Sequence, residues 1–409
     1  MSTWMTDITL KVRDYIEKLY SACSKQFTSG ENWLVSPMNL HMLLVITLMG
    51  SVDGSRNEML NALGYSENIG NATINAAFKQ KIYNDLAVLI TSMEIAVANA
   101  LFVAKNNIIN PNYTEQVSKS YSAFLTKTLD DKEPALIADE VNNFVEKETR
   151  SFIKKVIDAN TTCTDMGIML INAIYLETIL EEQFDLKETK DGIFHISGNK
   201  TIIIPFMKKR GKFLMRHCNS LDYNAIRINC TQDLSVVIAV PSKILGLENI
   251  NKKLQENGGN AYLNKLLGSE AYDWTEVELS LPRFEIESNV DMKEVLKRMG
   301  IKAAFIGSKD FSKICTETKN ISSVHHKAVL KINEVGRNPS STRGSDRSVV
   351  FTVDKPFFIA VLSPKNDPLF MGNVHVPKDP GKPNFEEKNY MTFGELAKKA
   401  YYTEQPMTE

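Results

Sequence analysis

The sequence predicts an α+β fold; its 409 residues would suit two or three domains, but one large domain is allowed. Three observations carry that reading. Segments with helical spacing of apolar residues alternate with long apolar runs of strand character, and no linker, repeat or low-complexity tract interrupts them before Pro377. The composition, 43% hydrophobic and 24% charged over 409 residues, is that of a globular chain with a sizeable core. Finally, two strand-like blocks in the last quarter flank a polar run, RNPSSTRGSDRS, that has almost nothing to bury.

Taken in order, Ile8 to Cys23 places Ile8, Val12, Tyr15, Ile16, Leu19 and Tyr20 on one helical face. Ser36-Pro37 opens a second helix, with Ser as cap and Pro in the first turn. Met38 to Met49 is apolar on most faces, so that helix is buried. Glu58 to Leu63 reads as a short helix ended by Gly64, Ala138 to Val156 as an amphipathic helix, and Met292 to Met299 as a helix stopped by Gly300. Ile95 to Val103, Gly167 to Tyr175 and Asp233 to Val240 are apolar strands. Beyond Pro377, the residues Pro380, Gly381 and Pro383 mark a linker. Phe393, Leu396, Ala397 and Ala400 then follow at i, i+3, i+4 and i+7, the spacing of a short helix expected to dock on the body.

Several function classes are excluded by what the chain lacks. A net charge of −1 offers no general attraction to nucleic acid or anionic membrane. The basic run Lys208, Lys209, Arg210, Lys212 and Arg216 is short and reads as a solvated face rather than a polyanion site. No GxSxG, HExxH, Walker loop or GxGxxG occurs, and the six histidines have no metal-ligand spacing, so no catalytic residue, metal or cofactor is assigned. Five scattered cysteines without a CxxC argue against zinc and against a disulfide scaffold, and favour a reducing compartment. Charges at Asp7, Lys11, Arg13 and Asp14 interrupt any signal-peptide core, and the apolar stretch Leu40 to Met49 is too short to span a bilayer.

The polar run is where chemistry concentrates. It carries Arg337, Pro339, Arg343 and Arg347 among small polar residues and stays exposed, because it cannot bury enough apolar surface to offset its ordering entropy. An exposed, arginine-bearing loop held between two strands is what a trypsin-like protease attacks.

Around this loop stand His326-Lys327-Ala328, the hinge Glu334-Val335-Gly336, then Phe351, Asp354, Pro356-Phe357-Phe358 and Leu369-Phe370-Met371-Gly372. Earlier come Asn32-Trp33-Leu34-Val35-Ser36-Pro37, Asn61-Ala62-Leu63-Gly64, Val141 to Glu146 (VNNFVE) and Ile171-Asn172-Ala173-Ile174-Tyr175. Leu281-Pro282-Arg283-Phe284, Asp291 to Ile301 (DMKEVLKRMGI) and Asp310-Phe311-Ser312 complete the set. In this order and spacing, over nearly the whole chain, they resemble the serpins.

The resemblance implies a single domain over residues 1–377, followed by a C-terminal extension over residues 378–409, with three β-sheets, about nine helices and an exposed reactive-centre loop. The molecule it implies is a monomeric suicide-substrate inhibitor whose partner is a serine protease, here a trypsin-like one. It also implies a shutter of Ser36, Asn172 and His326 beneath the sheet that opens, and an ion pair of Arg283 with Glu334 at the hinge. Two positions depart from the family pattern: Asn39 stands where a small hydroxyl residue is usual, and Leu180 where a Trp is usual. Members without a cleavable signal act inside cells or reach the outside, so an extracellular or cell-surface site by unconventional export stands beside a cytoplasmic alternative.

Arg347-Ser348 is the chemically favoured bond and Arg343-Gly344 the second choice, with Arg347 lying 11 residues after Gly336. That span is about 36 Å of strand, against roughly 46 Å for a 14-residue loop. The hinge, normally small and uncharged, is Arg337-Asn338-Pro339. Proline removes a ladder donor from a central strand and a buried lone charge costs several kcal/mol. An inhibitor and a non-inhibitory member that acts as substrate, carrier, chaperone or surface ligand therefore both remain open.

Overall fold

The computed structural model describes residues 3–27, 30–66, 69–78, 95–105, 107–121, 124–129, 133–161, 167–255, 259–306, 310–316, 320–339 and 348–383. Arg343, Gly344, Arg347 and the helix expected near Phe393 lie outside the described residues. Nine α-helices occur among those described. They are α1 (Thr3–Gln26), α2 (Pro37–Met49), α3 (Asp53–Leu63), α4 (Asn71–Phe78), α5 (Pro111–Ser120), α6 (Pro134–Glu148), α7 (Gly246–Gln255), α8 (Gly259–Leu267) and α9 (Lys293–Arg298). The strands are β1 (Trp33–Val35), β2 (Ile95–Val103), β3 (Phe124–Thr128), β4 (Ile168–Glu177), β5 (Leu180–Glu182), β6 (Lys190–Ser197), β7 (Lys200–Cys218) and β8 (Tyr223–Asn229). They continue with β9 (Ser235–Pro241), β10 (Asp273–Pro282), β11 (Phe284–Asp291), β12 (Ile321–Ile332), β13 (Gly336–Asn338), β14 (Val349–Thr352), β15 (Phe357–Leu362) and β16 (Pro368–Val374).

Local chemistry accounts for most boundaries. Ser36 is extended and its Oγ accepts from the Asn39 N–H at 3.4 Å, so α2 starts at Pro37, and every residue of α2 is buried. Gly64, left-handed at φ 79°, ends α3. That helix begins five residues earlier than its sequence pattern indicates, because a distant carboxylate, Asp310, accepts from the Ser55 N–H at 2.8 Å in its first turn. The helix expected over Ala138 to Val156 instead ends at Glu148. Arg150 and Ser151 turn left-handed there (φ 55° and 62°), and Asn142 Oδ1 accepts from the amides of Val156 and Ile157. The apolar residues Ile153, Val156 and Ile157 still bury, but as an irregular segment lying against a sheet.

The strands form three sheets. Nine strands make one, in the order β1-β16-β15-β9-β8-β7-β10-β14 with β6 on β7, and five make another, in the order β11-β12-β4-β2-β3. The third is the pair β13-β5. In the five-stranded sheet, alternate residues face opposite ways. Ile168, Leu170, Ile174 and Leu176 of β4 enter an apolar cluster that runs from Val12 to Val374. Met169, Ile171, Ala173 and Tyr175 face α6 and the segment after it.

Two pairings position the site. β4 and β12 are parallel and directly hydrogen-bonded, from Ile168 opposite Ile321 to Glu177 opposite Lys331. Past that ladder β13 pairs with β5, also parallel, with Gly336 opposite Leu180 and Asn338 opposite Glu182. The chain leaving β12 therefore keeps its direction; it does not fold back into the sheet.

At Gly372, where β16 meets β1, an added Cβ would sit 2.0 Å from the Trp33 carbonyl oxygen and 2.9 Å from the Leu34 Cα. Backbone cannot yield cheaply, so Gly372→Ala is expected to lower stability by about 3 kcal/mol in urea unfolding. Gly198→Ala, which meets nothing within 4 Å, should stay within about 0.5 kcal/mol of the parent.

Candidate functional site at the hinge and beneath the sheet

The upper end of β12 is held by a buried ion pair. Glu334, two residues past the strand, is fully buried, and Arg283, between β10 and β11, has a side chain only 5% exposed. Arg283 Nη1 donates to Glu334 Oε1 at 3.1 Å, and Thr189 Oγ1 donates to the same oxygen at 2.9 Å. Glu334 Oε2 has no hydrogen-bond partner. A surface pair would be worth about 0–1 kcal/mol. A buried pair behaves differently, since removing Arg283 would strand the buried Glu334 charge at a cost of about 3–5 kcal/mol.

Neighbours stiffen the same corner. Asn333 Nδ2 donates to Glu177 Oε1 at 2.7 Å, and its Oδ1 accepts from the Val335 amide at 3.1 Å. The Leu180 amide donates to the Val335 carbonyl at 3.0 Å. Gly336 is required here by close approach, because a Cβ would lie 2.1 Å from the Gln183 nitrogen. Leu180, where the family usually carries a Trp, is buried opposite Gly336.

Below the hinge, three polar side chains form one row across three strands. Asn99 of β2 is in register with Asn172 of β4, and Asn172 with His326 of β12. All three are fully buried and lie under the first turn of α2. The Ser36 amide donates to His326 Nε2 at 3.0 Å, so the ring proton sits on Nδ1 and donates to Asn172 Oδ1 at 2.5 Å. Asn172 Nδ2 donates to the Asn39 carbonyl (3.0 Å) and to Asn99 Oδ1 (2.6 Å), and Asn99 Nδ2 donates to Asn39 Oδ1 (2.7 Å). Burial drives the His326 imidazole pKa down to about 3, so it is neutral. The row couples β4 to β12 at their shared rung, and parting these strands breaks the His326–Asn172 bond.

Sequence reading identified Ser36, Asn172 and His326, and the structure brings them together. Asn99 was missed, although a single polar residue inside IAVANALFV is the signal that could have found it. Asn39, read only as a departure, supplies two acceptors to the row. The basic run of β7 is a largely solvated face, with Lys208, Arg210 and Lys212 exposed, Arg216 partly so and only Lys209 buried. Lys209 is bonded to Glu182 at 2.6 Å, Arg210 to Glu278 at 2.7 Å, and Lys212 stands 4.0 Å from Glu276. The acids of β5 and β10 thus offset its charge. Along the loop, Arg337, Asn338 and Pro339 are exposed and Ser348 is partly so. No cluster of metal-ligating side chains and no helix long and apolar enough to cross a membrane occurs among the described residues.

Two outcomes are expected. Because the unfolded chain takes up a proton near pH 6.5 that folded His326 refuses until about pH 3, stability falls as pH drops below 6.5. The loss should reach about 2 kcal/mol at pH 5, at about 1.4 kcal/mol per unit. Urea titrations at pH 7, 6 and 5 measure it, and His326→Gln should remove that share of the slope. Burial also lowers the pKa of His325 and His375, whose shares add in the same direction and persist in the variant. Separately, Glu334→Lys sets a second cation against Arg283, and its expected effect is a loss of about 3–5 kcal/mol, with polymers appearing by size-exclusion chromatography on mild heating.

Comparison with known proteins agrees with this geometry. The family model for Serpin (serine protease inhibitor) matches residues 12–377. Serine protease inhibitor 42Dd of Drosophila melanogaster is 26% identical over 383 residues, covering 91% of this chain and 98% of that protein. Ipis-1 of Ixodes persulcatus is 32% identical over 294 residues, covering 68% and 76%. The crystal structure of Serpin48 from Tenebrio molitor superposes with a TM-score of 0.79 at 23% identity, over 92% of this chain and 100% of that one. A family match that takes in the hinge, the polar row and every sheet of the fold makes this chain a member of the serpin family of serine protease inhibitors.

Proposed function

We propose that this chain inhibits a trypsin-like serine protease as a suicide substrate, through the loop between β12 and β14. The observation that carries the reading is the closed β4–β12 ladder with the loop's first residues outside it. A gap-free sheet beside an exposed loop is the arrangement from which insertion releases stored strain. The designation of the fruit-fly relative as a serine protease inhibitor supports the same class.

In this mechanism the protease serine attacks the Arg347 carbonyl and the Ser348 amine leaves, which gives an acyl-enzyme on Arg347. The loop, now cut, reverses at Gly336 and runs antiparallel between β4 and β12. Glu334 must leave Arg283 and the His326–Asn172 bond must break for the slot to open. The shortness of the loop is compatible with this. Gly336 now pairs with Leu180, and 11 residues further Arg347 would come opposite Met169, one residue from the lower end of the ladder at Ile168. That reach is about 36 Å. It would carry the bound protease across the length of the sheet.

One observation favours a second reading, a non-inhibitory serpin cut as a substrate. Arg337, Asn338 and Pro339 are all exposed and polar or donor-deficient, where insertion needs residues that bury and pair.

Incubation with trypsin separates the two. An SDS-stable complex that Arg347→Ala abolishes is the inhibitor outcome; cleavage with fully active trypsin is the substrate outcome. The hinge makes slow or partial trapping the expected result, and Arg337→Thr with Pro339→Ala should raise the trapped fraction. Mass spectrometry of the fragments identifies the bond, and cleavage only outside residues 337–350 would defeat the bait assignment.

A further inference from the structure

The Arg283 guanidinium does not serve Glu334 alone. Its Nε donates to Asp379 Oδ1 at 2.7 Å and its Nη2 to Asp379 Oδ2 at 3.2 Å, leaving Nη1 for Glu334 at 3.1 Å. Two parallel bonds from one edge of a planar cation to both oxygens of one carboxylate fix the plane of that cation. Once the plane is fixed, so is the direction of Nη1. By contrast, the contact to Glu334 is a single bond from a long side chain, and by itself it would leave the guanidinium able to rotate.

Asp379 is itself anchored. The Glu285 amide donates to the Lys378 carbonyl at 2.8 Å, which lays the chain after Pro377 against β11. The Gly381 amide donates to Asp379 Oδ1 at 3.0 Å, and Gly381 closes that turn in the left-handed region at φ 88°. Burial pushes the Asp379 carboxyl up, but the bonds from Arg283 and Gly381 and the Arg283 charge outweigh it and hold the group below its usual range. It is therefore an anion at neutral pH.

We propose that Asp379, beyond the last strand, is a positioning residue of the hinge: it clamps Arg283 so that Arg283 holds Glu334, and so ties the root of the C-terminal extension to the release of the loop. The proposal rests on the reading of Arg283–Glu334 as the pair that restrains the hinge. In it, opening at the top of β12 is coupled to the conformation of residues 378–381, with Asp379 45 residues downstream of Glu334.

Hydrogen exchange on the full-length chain, read by mass spectrometry, tests this. Glu334→Gln should speed exchange at least tenfold in peptides covering 328–338 and 174–184. Asp379→Asn should speed it about threefold to tenfold in those same peptides and leave β15 and β16 unchanged, while Asp379→Glu restores the parent rate. The double variant Glu334→Gln/Asp379→Asn should exchange no faster at the hinge than Glu334→Gln alone, because both act through Arg283. Acceleration confined to residues 376–383 would show a merely local role and overturn the proposal. Slower hinge exchange in Asp379→Asn would mean that Asp379 competes with Glu334, which also overturns it. Should Glu334→Gln leave hinge exchange unchanged, the hinge reading itself fails and the clamp falls with it.

Discussion

The rest of this structure depends on the direct pairing of β4 with β12. Two parallel strands that are hydrogen-bonded to each other leave no unpaired edge between them, so nothing can enter the sheet without first breaking a ladder. Parallel pairing also sets the direction of everything that follows. The chain leaves β12 at the top and continues alongside β5, and only a reversal at Gly336 would bring it back between the strands. Residues 336–339 are thus held outside by geometry before any side chain is considered.

Side chains then make the closed state specific. A core of leucine and valine would close the same ladder but would accept small shifts of register. The row Asn99–Asn172–His326 accepts none, because each donor meets one acceptor across a strand boundary and a slip would leave buried polar atoms without partners. Buried polar groups are not a cheap source of stability. Here they also place a breakable contact at the seam that the proposed insertion would part. Arg283 and Glu334 do the same at the top, where the pair is buried deeply enough that its loss is felt and close enough to Gly336 to act on the turn.

Much of this was legible in the sequence. Apolar periodicity located α1, α2, β2, β4 and β9 within a few residues, since each buries a face that local composition already marks. Ordered motifs brought together Ser36, Asn172 and His326, which are far apart in the chain. What was not legible has a common cause, namely dependence on a distant partner. The first turn of α3 needs Asp310, and the stop after Glu148 needs two left-handed residues and the Asn142 side chain. Asp379 sits in a Pro- and Gly-rich stretch that reads as linker, and only the fold brings it to Arg283. Burial of the Arg283–Glu334 pair was equally invisible, and burial is what raises its energetic weight.

In the proposed insertion, the hinge composition matters more to the rate of entry than to the energy of the inserted form. For a loop of given length, the backbone hydrogen bonds gained on insertion are nearly independent of sequence, apart from the donor that Pro339 lacks. Arg337 is the residue that meets the slot first. It is the first residue after the turn, so its desolvation falls at the start of insertion, when little new pairing has formed to offset it. A cost met early raises the barrier rather than the final energy, and each 1.4 kcal/mol there slows insertion about tenfold. In the proposed mechanism the acyl-enzyme meanwhile hydrolyses at its own rate. The fraction of protease retained would be the insertion rate divided by the sum of the two rates, so a residue that barely alters the stability of the inserted form can still decide between inhibitor and substrate behaviour.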